Sequence, residues 1–93
     1  TNLVIPSRAT AIASRAFEGN VKIESVVIPE KVASIGVYAF RNCTKLNNVV
    51  FPKNLKNVAA YAFYNTALKA VSIPTGCVVG SSAFPSDCTI TYI

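Results

Sequence analysis

The side chains in this 93-residue chain that could do chemistry are few: Cys43, Cys77 and Cys88, the acids Glu18, Glu24, Glu30 and Asp87, and nine Lys or Arg, with no histidine at all. Without an imidazole the commonest general base and metal ligand is missing, and a cysteine nucleophile would lack its usual activating partner. A glycosidase needs two carboxyl groups facing each other across a sugar. Glu24 and Glu30, six residues apart, flank opposite ends of a strand-like run instead. There is no CxxC spacing and no glycine-rich phosphate loop. These residue types point away from an enzyme, and no catalytic residue, cofactor or metal is expected.

The charges point to partners only weakly. The net charge of +5 comes from Arg8, Arg15, Lys22, Lys31, Arg41, Lys45, Lys53, Lys56 and Lys69, spread along the chain without forming a run. Dispersed bases of this kind read as a solvated rim, with attraction to acidic glycans as an alternative; nucleic acid is disfavoured because no basic cluster exists. The chain is 52% hydrophobic and 14% charged, which excludes intrinsic disorder. Polar residues interrupt every apolar run, so no membrane span is expected. Beginning at Thr1 with no signal-peptide pattern, the sequence reads as a mature segment or an excised piece.

The elements that must position these side chains follow from a repeat. Prolines fall at Pro6, Pro29, Pro52 and Pro74, and Ala-Phe pairs end at Phe17, Phe40, Phe63 and Phe84, so both landmarks step by 23, 23 and then 22 or 21 residues. Such a period marks a solenoid, in which each unit buries its apolar face against its neighbours. Before each proline, Leu3 and Ile5, Val26 and Ile28, Val49 and Phe51, and Val71 and Ile73 alternate as the inward face of a strand that the proline ends. After it, Ala9 and Ile12, Val32 and Ile35, and Leu55 and Val58 make a second apolar pair. The Ala-Phe pairs sit in stretches such as 37–41 that could form one turn of helix, and the four phenylalanines should stack as an internal spine. Gly19-Asn20, Asn42 and Asn65 close each coil, and Ile23, Leu46, Leu68 and Ile90 re-enter the next. Four coils at strand spacing make a slab about 20 Å deep.

Within this frame Cys77 takes the position of Val32 and Leu55, which favours three free thiols; a Cys77–Cys88 bridge is the best disulfide candidate otherwise. Asn42-Cys43-Thr44 fits a glycosylation sequon, although the repeat already explains Asn42 as a turn residue. The outward strand positions form a ladder of Asn2 and Val4, Ser25 and Val27, Asn48 and Val50, Ala70 and Ser72, then Tyr92. Of these, Ser25, Val27, Asn48, Val50, Ala70, Ser72 and Tyr92 are the candidate ligand face. Tyr64 and Tyr92 are the stronger aromatic contacts, whereas Tyr38 and Tyr61, one residue before the Ala-Phe pair, could as easily cover the core edge.

Residues 26–46, Val-Val-Ile-Pro-Glu-Lys-Val-Ala-Ser-Ile-Gly-Val-Tyr-Ala-Phe-Arg-Asn-Cys-Thr-Lys-Leu, resemble the BspA-like, or treponemal-type, leucine-rich repeats. The pattern is strand-Ile-Pro, then Val-x-x-Ile-Gly-x-x-Ala-Phe, then x-x-Cys-x-x-Leu. The likeness runs through essentially the whole chain, with Ala13 and Asn20 replacing the Gly and Cys in the first coil, and Ala59 and Thr66 in the third. It implies a right-handed leucine-rich-repeat solenoid of the horseshoe type. Its coils would span about 2–24, 25–47, 48–69 and 70–93, each with one parallel strand, a second short extended segment and short helical or 3-10 turns. The unit would be a single domain, 1–93, within a longer array. The resemblance also implies a secreted or cell-surface protein that binds a protein or extracellular-matrix ligand. A structural spacer, or a repeat array that self-assembles end to end, is the alternative.

Overall fold

Valine, isoleucine and alternating polarity favour short strands, and in a computed structural model, which describes residues 2–93, these strands pair from coil to coil. The strands are β1 (Asn2–Val4), β2 (Ala11–Ile12), β3 (Ser25–Val27), β4 (Ser34–Ile35), β5 (Asn48–Val50), β6 (Asn57–Val58), β7 (Ala70–Ile73), β8 (Val78–Val79) and β9 (Thr89–Tyr92). All pairings are parallel: β1-β3-β5 form one sheet, β2-β4-β6-β8 a second, and β7-β9 a third. The molecule is a β-solenoid of about four turns measuring 28 × 27 × 19 Å, and its thin dimension matches four stacked strands.

The interior is built as the repeat requires. Val26, Ile28, Val32, Ile35, Leu46, Val58, Leu68 and Ile73 are buried, and among the described residues no polar or charged side chain is. Phe17, Phe40, Phe63 and Phe84 stack one above the next at centroid separations of 5.1, 4.9 and 5.3 Å, with the last two pairs within 5° of parallel. Phe51 meets Phe63 and Phe84 edge-on. The small Ala39, Ala62 and Ala83 lie beside this column, fully covered.

The expected turns of helix do not form. Along the Ala-Phe side, the N–H groups of Tyr38, Phe40 and Asn42 donate to the carbonyls of Ala60, Ala62 and Tyr64 in the next coil, at 3.4, 2.7 and 2.9 Å. The alternate N–H groups, of Ala39, Arg41 and Cys43, close tight turns on Gly36, Tyr38 and Phe40. A helix would direct every N–H along its own axis. Here half of them bond across the stack, which requires a left-handed backbone at Tyr38 (φ 61°) and Asn42 (φ 65°). The same pattern recurs in the first coil, where Arg15, Phe17 and Gly19 donate to Val37, Ala39 and Arg41.

The strand face has a seam. No ladder joins β5 to β7, although β6 pairs with β8 and the turn side stays bonded across the same two coils, for example Phe63 N–H to Ala83. The cause is a missing residue: Leu46 follows Asn42 by four positions, whereas Leu68 follows Asn65 by three. The third coil therefore re-enters its strand differently. Asn47 N–H bonds to Glu24, 23 residues back, but Ala67 N–H bonds to Leu46, only 21 back. Ile90, expected at re-entry with Ile23, Leu46 and Leu68, instead lies on β9 in register with Val71.

Candidate functional site

The candidate strand face is assembled by β1, β3 and β5, whose registers put Asn2, Ser25 and Asn48 in one row and Val4, Val27 and Val50 in the next. The polar row is tied together by the Ser25 hydroxyl and Asn2 Oδ1. The valine row is open to solvent: Val4 is 86%, Val27 61% and Val50 50% exposed. Three exposed β-branched residues held side by side on paired strands form a rigid aliphatic strip, since branching leaves little rotamer freedom to lose on binding.

The other three candidates, on β7 and β9, do not join it. Ala70 and Ser72 are exposed on β7, but the seam separates them from Asn48 and Val50, and a groove of about 380 Å³ opens there between residues of β5, β7 and the C-terminal strand. Tyr92 is the clearest departure from expectation. A shortened fourth coil puts β9 only 19 residues after β7, so Thr91 takes the place beside Ser72, and Tyr92 stands in register with the core residue Ile73. It is exposed, on the inward parity of the last strand rather than on the outward ladder.

A second cluster lies on the turn side, at Tyr38 and Tyr61, for which contact and cover of the core edge were both open. The Arg15 and Arg41 guanidinium groups sit 4.5 and 4.4 Å from the Tyr38 ring centroid, within cation-π range. Glu18 accepts ion pairs from both arginines. Tyr61 continues the column, 5.6 Å from Tyr38, and meets Tyr64 edge-on at 5.4 Å. Beside them the Asn65 amide donates to Asn42 Oδ1 at 2.9 Å. Tyr61 and Tyr64 are exposed. Arg15, Tyr38 and Tyr61 all have positive φ. That conformation costs a side-chain-bearing residue about 1 kcal/mol or more where glycine would be unstrained.

No cysteine lies in either cluster. The thiols of Cys43, Cys77 and Cys88 are all free, and burial pushes each above its ordinary value, so they remain protonated at neutral pH. Cys43 Sγ donates to the Phe17 carbonyl in the coil below, a structural contact. Asp87 is drawn to Lys69 at 2.6 Å, while Glu18 is held by the arginines. Among the described residues no helix is long and apolar enough to cross a membrane.

Comparison with known proteins agrees with this geometry. A leucine-rich-repeat protein of Bacteroides capillosus superposes with a TM-score of 0.85 at 25% identity, covering 99% of this chain and 76% of that one. The leucine-rich-repeat protein of T. pallidum gives 0.76 at 26% identity, with 92% of this chain and 54% of that one covered. One from Bacteroides ovatus, at 0.72 and 24% identity, shares the fold over 99% of this chain, which spans only 33% of its length. No curated protein matches the chain. The BspA type leucine-rich-repeat region matches residues 1–93 with six copies, and the chain belongs to that family.

Proposed function

We propose that the chain is a non-enzymatic protein-interaction module of a secreted or cell-surface protein, which captures a protein or extracellular-matrix ligand on its strand face. The observation that supports this most is the exposed row of Val4, Val27 and Val50 on hydrogen-bonded strands. Apolar side chains so placed contribute nothing to the core, yet a flat strip of them gains about 25 cal/mol for each Å² it covers against a partner. The polar row of Asn2, Ser25 and Asn48 supplies the hydrogen-bonding rim such a surface needs. Membership of a repeat family, whose fold usually works by display, fits the same reading.

Substituting Val27→Lys together with Val50→Lys tests it. The native chain should bind at least one of a set of purified, immobilised extracellular-matrix proteins, and the double variant should lose that binding at least tenfold while melting at the same temperature. A native chain that binds none of them, or a double variant that binds as well as the native one, rejects the strand face.

A further inference from the structure

We infer that the turn side carries a second recognition surface, made by Arg15, Tyr38, Arg41, Tyr61 and Tyr64, for an acidic peptide segment that also bears aromatic side chains. This inference is independent of the strand face.

Its first support is segregation. All six lysines lie outside the turn segments 13–20, 36–43, 59–66 and 80–87, whereas three of the four tyrosines and two of the three arginines lie within them. Lysine, with its flexible and strongly hydrated head, suits a solvated rim; tyrosine and arginine are the residues enriched where proteins bind one another.

The backbone gives a second support. Each of the first three turns has two left-handed residues four positions apart: Arg15 and Gly19, Tyr38 and Asn42, Tyr61 and Asn65. The later column carries glycine or asparagine, the types that tolerate this conformation. The earlier column carries Arg, Tyr and Tyr despite the same requirement. Their side chains project from the surface and none belongs to the core. Bulky residues held in a strained conformation cluster where a ligand is clamped.

The geometry then selects the occupant. Both guanidinium groups lie against the Tyr38 ring and Glu18 bridges them, so the arginines are fixed before any partner arrives. Two positive charges share one carboxylate, which leaves one charge in excess and guanidinium N–H groups free to pair with a second carboxylate. Next to them the exposed Tyr61 and Tyr64 rings, set edge to face, offer a place for an aromatic side chain. Carboxylates over the arginines and a ring over the tyrosines together describe an acidic, aromatic peptide.

A titration of the isotope-labelled chain with the amidated peptide Glu-Tyr-Glu-Tyr-Glu-Glu tests the inference. The peptide should shift the amides of residues 38, 41, 61 and 64 saturably, and more weakly at high salt. Tyr61→Asn and Arg15→Gln should each weaken it about tenfold, and the Val27→Lys, Val50→Lys double variant should bind it unchanged. Because asparagine accepts positive φ, Tyr61→Asn should melt no lower than the native chain. The inference is overturned if the peptide leaves these amides unmoved, or if Tyr61→Asn binds it normally. It is also overturned if Tyr61→Asn melts several degrees lower, which would make the ring structural. Shifts produced by a sulfated hexasaccharide but not by the peptide would make the surface a glycan site instead.

Discussion

Single residues mark how closely the coils approach. A Cβ added at Gly36 would lie 2.5 Å from the Ser14 backbone nitrogen, and one at Gly80 equally close to that of Ala60. Backbone cannot swing aside as a side chain can, so Gly36→Ala should destabilise the chain by about 1–3 kcal/mol, read as a lowered denaturation midpoint. An unchanged midpoint would mean the coils part easily. Burial also governs the thiols. Cys43 should resist a thiol reagent at neutral pH in the native state while half-buried Cys88 reacts first, and all three should react in denaturant. The Lys69–Asp87 pair predicts a pH dependence with a definite sign. Lys69 holds the Asp87 carboxyl below its ordinary range, so the pair stabilises above that range and the contribution disappears as pH falls through the lowered value. The lysine, raised in turn, gives up its share as pH climbs past that raised value. Melting curves of Asp87→Asn should thus lie slightly below the native ones near neutrality and merge with them in acid; the pair is fully exposed, so the gap is small.

At the level of elements, the phenyl column carries the stack. Phe63 lies between Phe40 and Phe84 and meets Phe51 edge-on, so Phe63→Ala removes contacts to three rings at once and should cost about 3–5 kcal/mol, measured by denaturant unfolding. Phe17→Ala, at a half-buried position with one stacked neighbour, should cost less. This column was legible in the sequence, as were the strands and the inward alternation of Val26 with Ile28, because apolar periodicity reports burial directly. The turns were less legible. Residues 37–41 have a composition compatible with a helical turn, and nothing in it reveals that alternate N–H groups bond to the next coil. Positive φ is usually betrayed by glycine or asparagine; Asn42 and Asn65 did so, whereas Arg15, Tyr38 and Tyr61 disguised it. The tyrosine and arginine cluster was missed for that reason, since its members come together only when the turns stack. Tyr92 was assigned to the wrong row because a count from the proline could not register the 19-residue step.

At the scale of the whole molecule, the stacked frame holds both exposed surfaces steady without using their side chains as core. The frame is continuous on the β2-β4-β6-β8 side and along the turns, and interrupted once on the strand face, between β5 and β7. The seam divides the proposed ligand face into a paired part, Ser25, Val27, Asn48 and Val50, and a detached part, Ala70 and Ser72. In a solenoid each coil is stabilised by its neighbours, so the boundary with the fewest bonds should open first. Residue-resolved hydrogen–deuterium exchange measures this directly. The amides of Phe17, Phe40, Asn42 and Gly36, which donate across coils, should be strongly protected and exchange together, while those of β7 and β9 exchange earlier as a unit. Protection falling smoothly from one end of the chain to the other, or rapid exchange at Phe40, would contradict a frame stacked on its aromatic column and broken at a single seam.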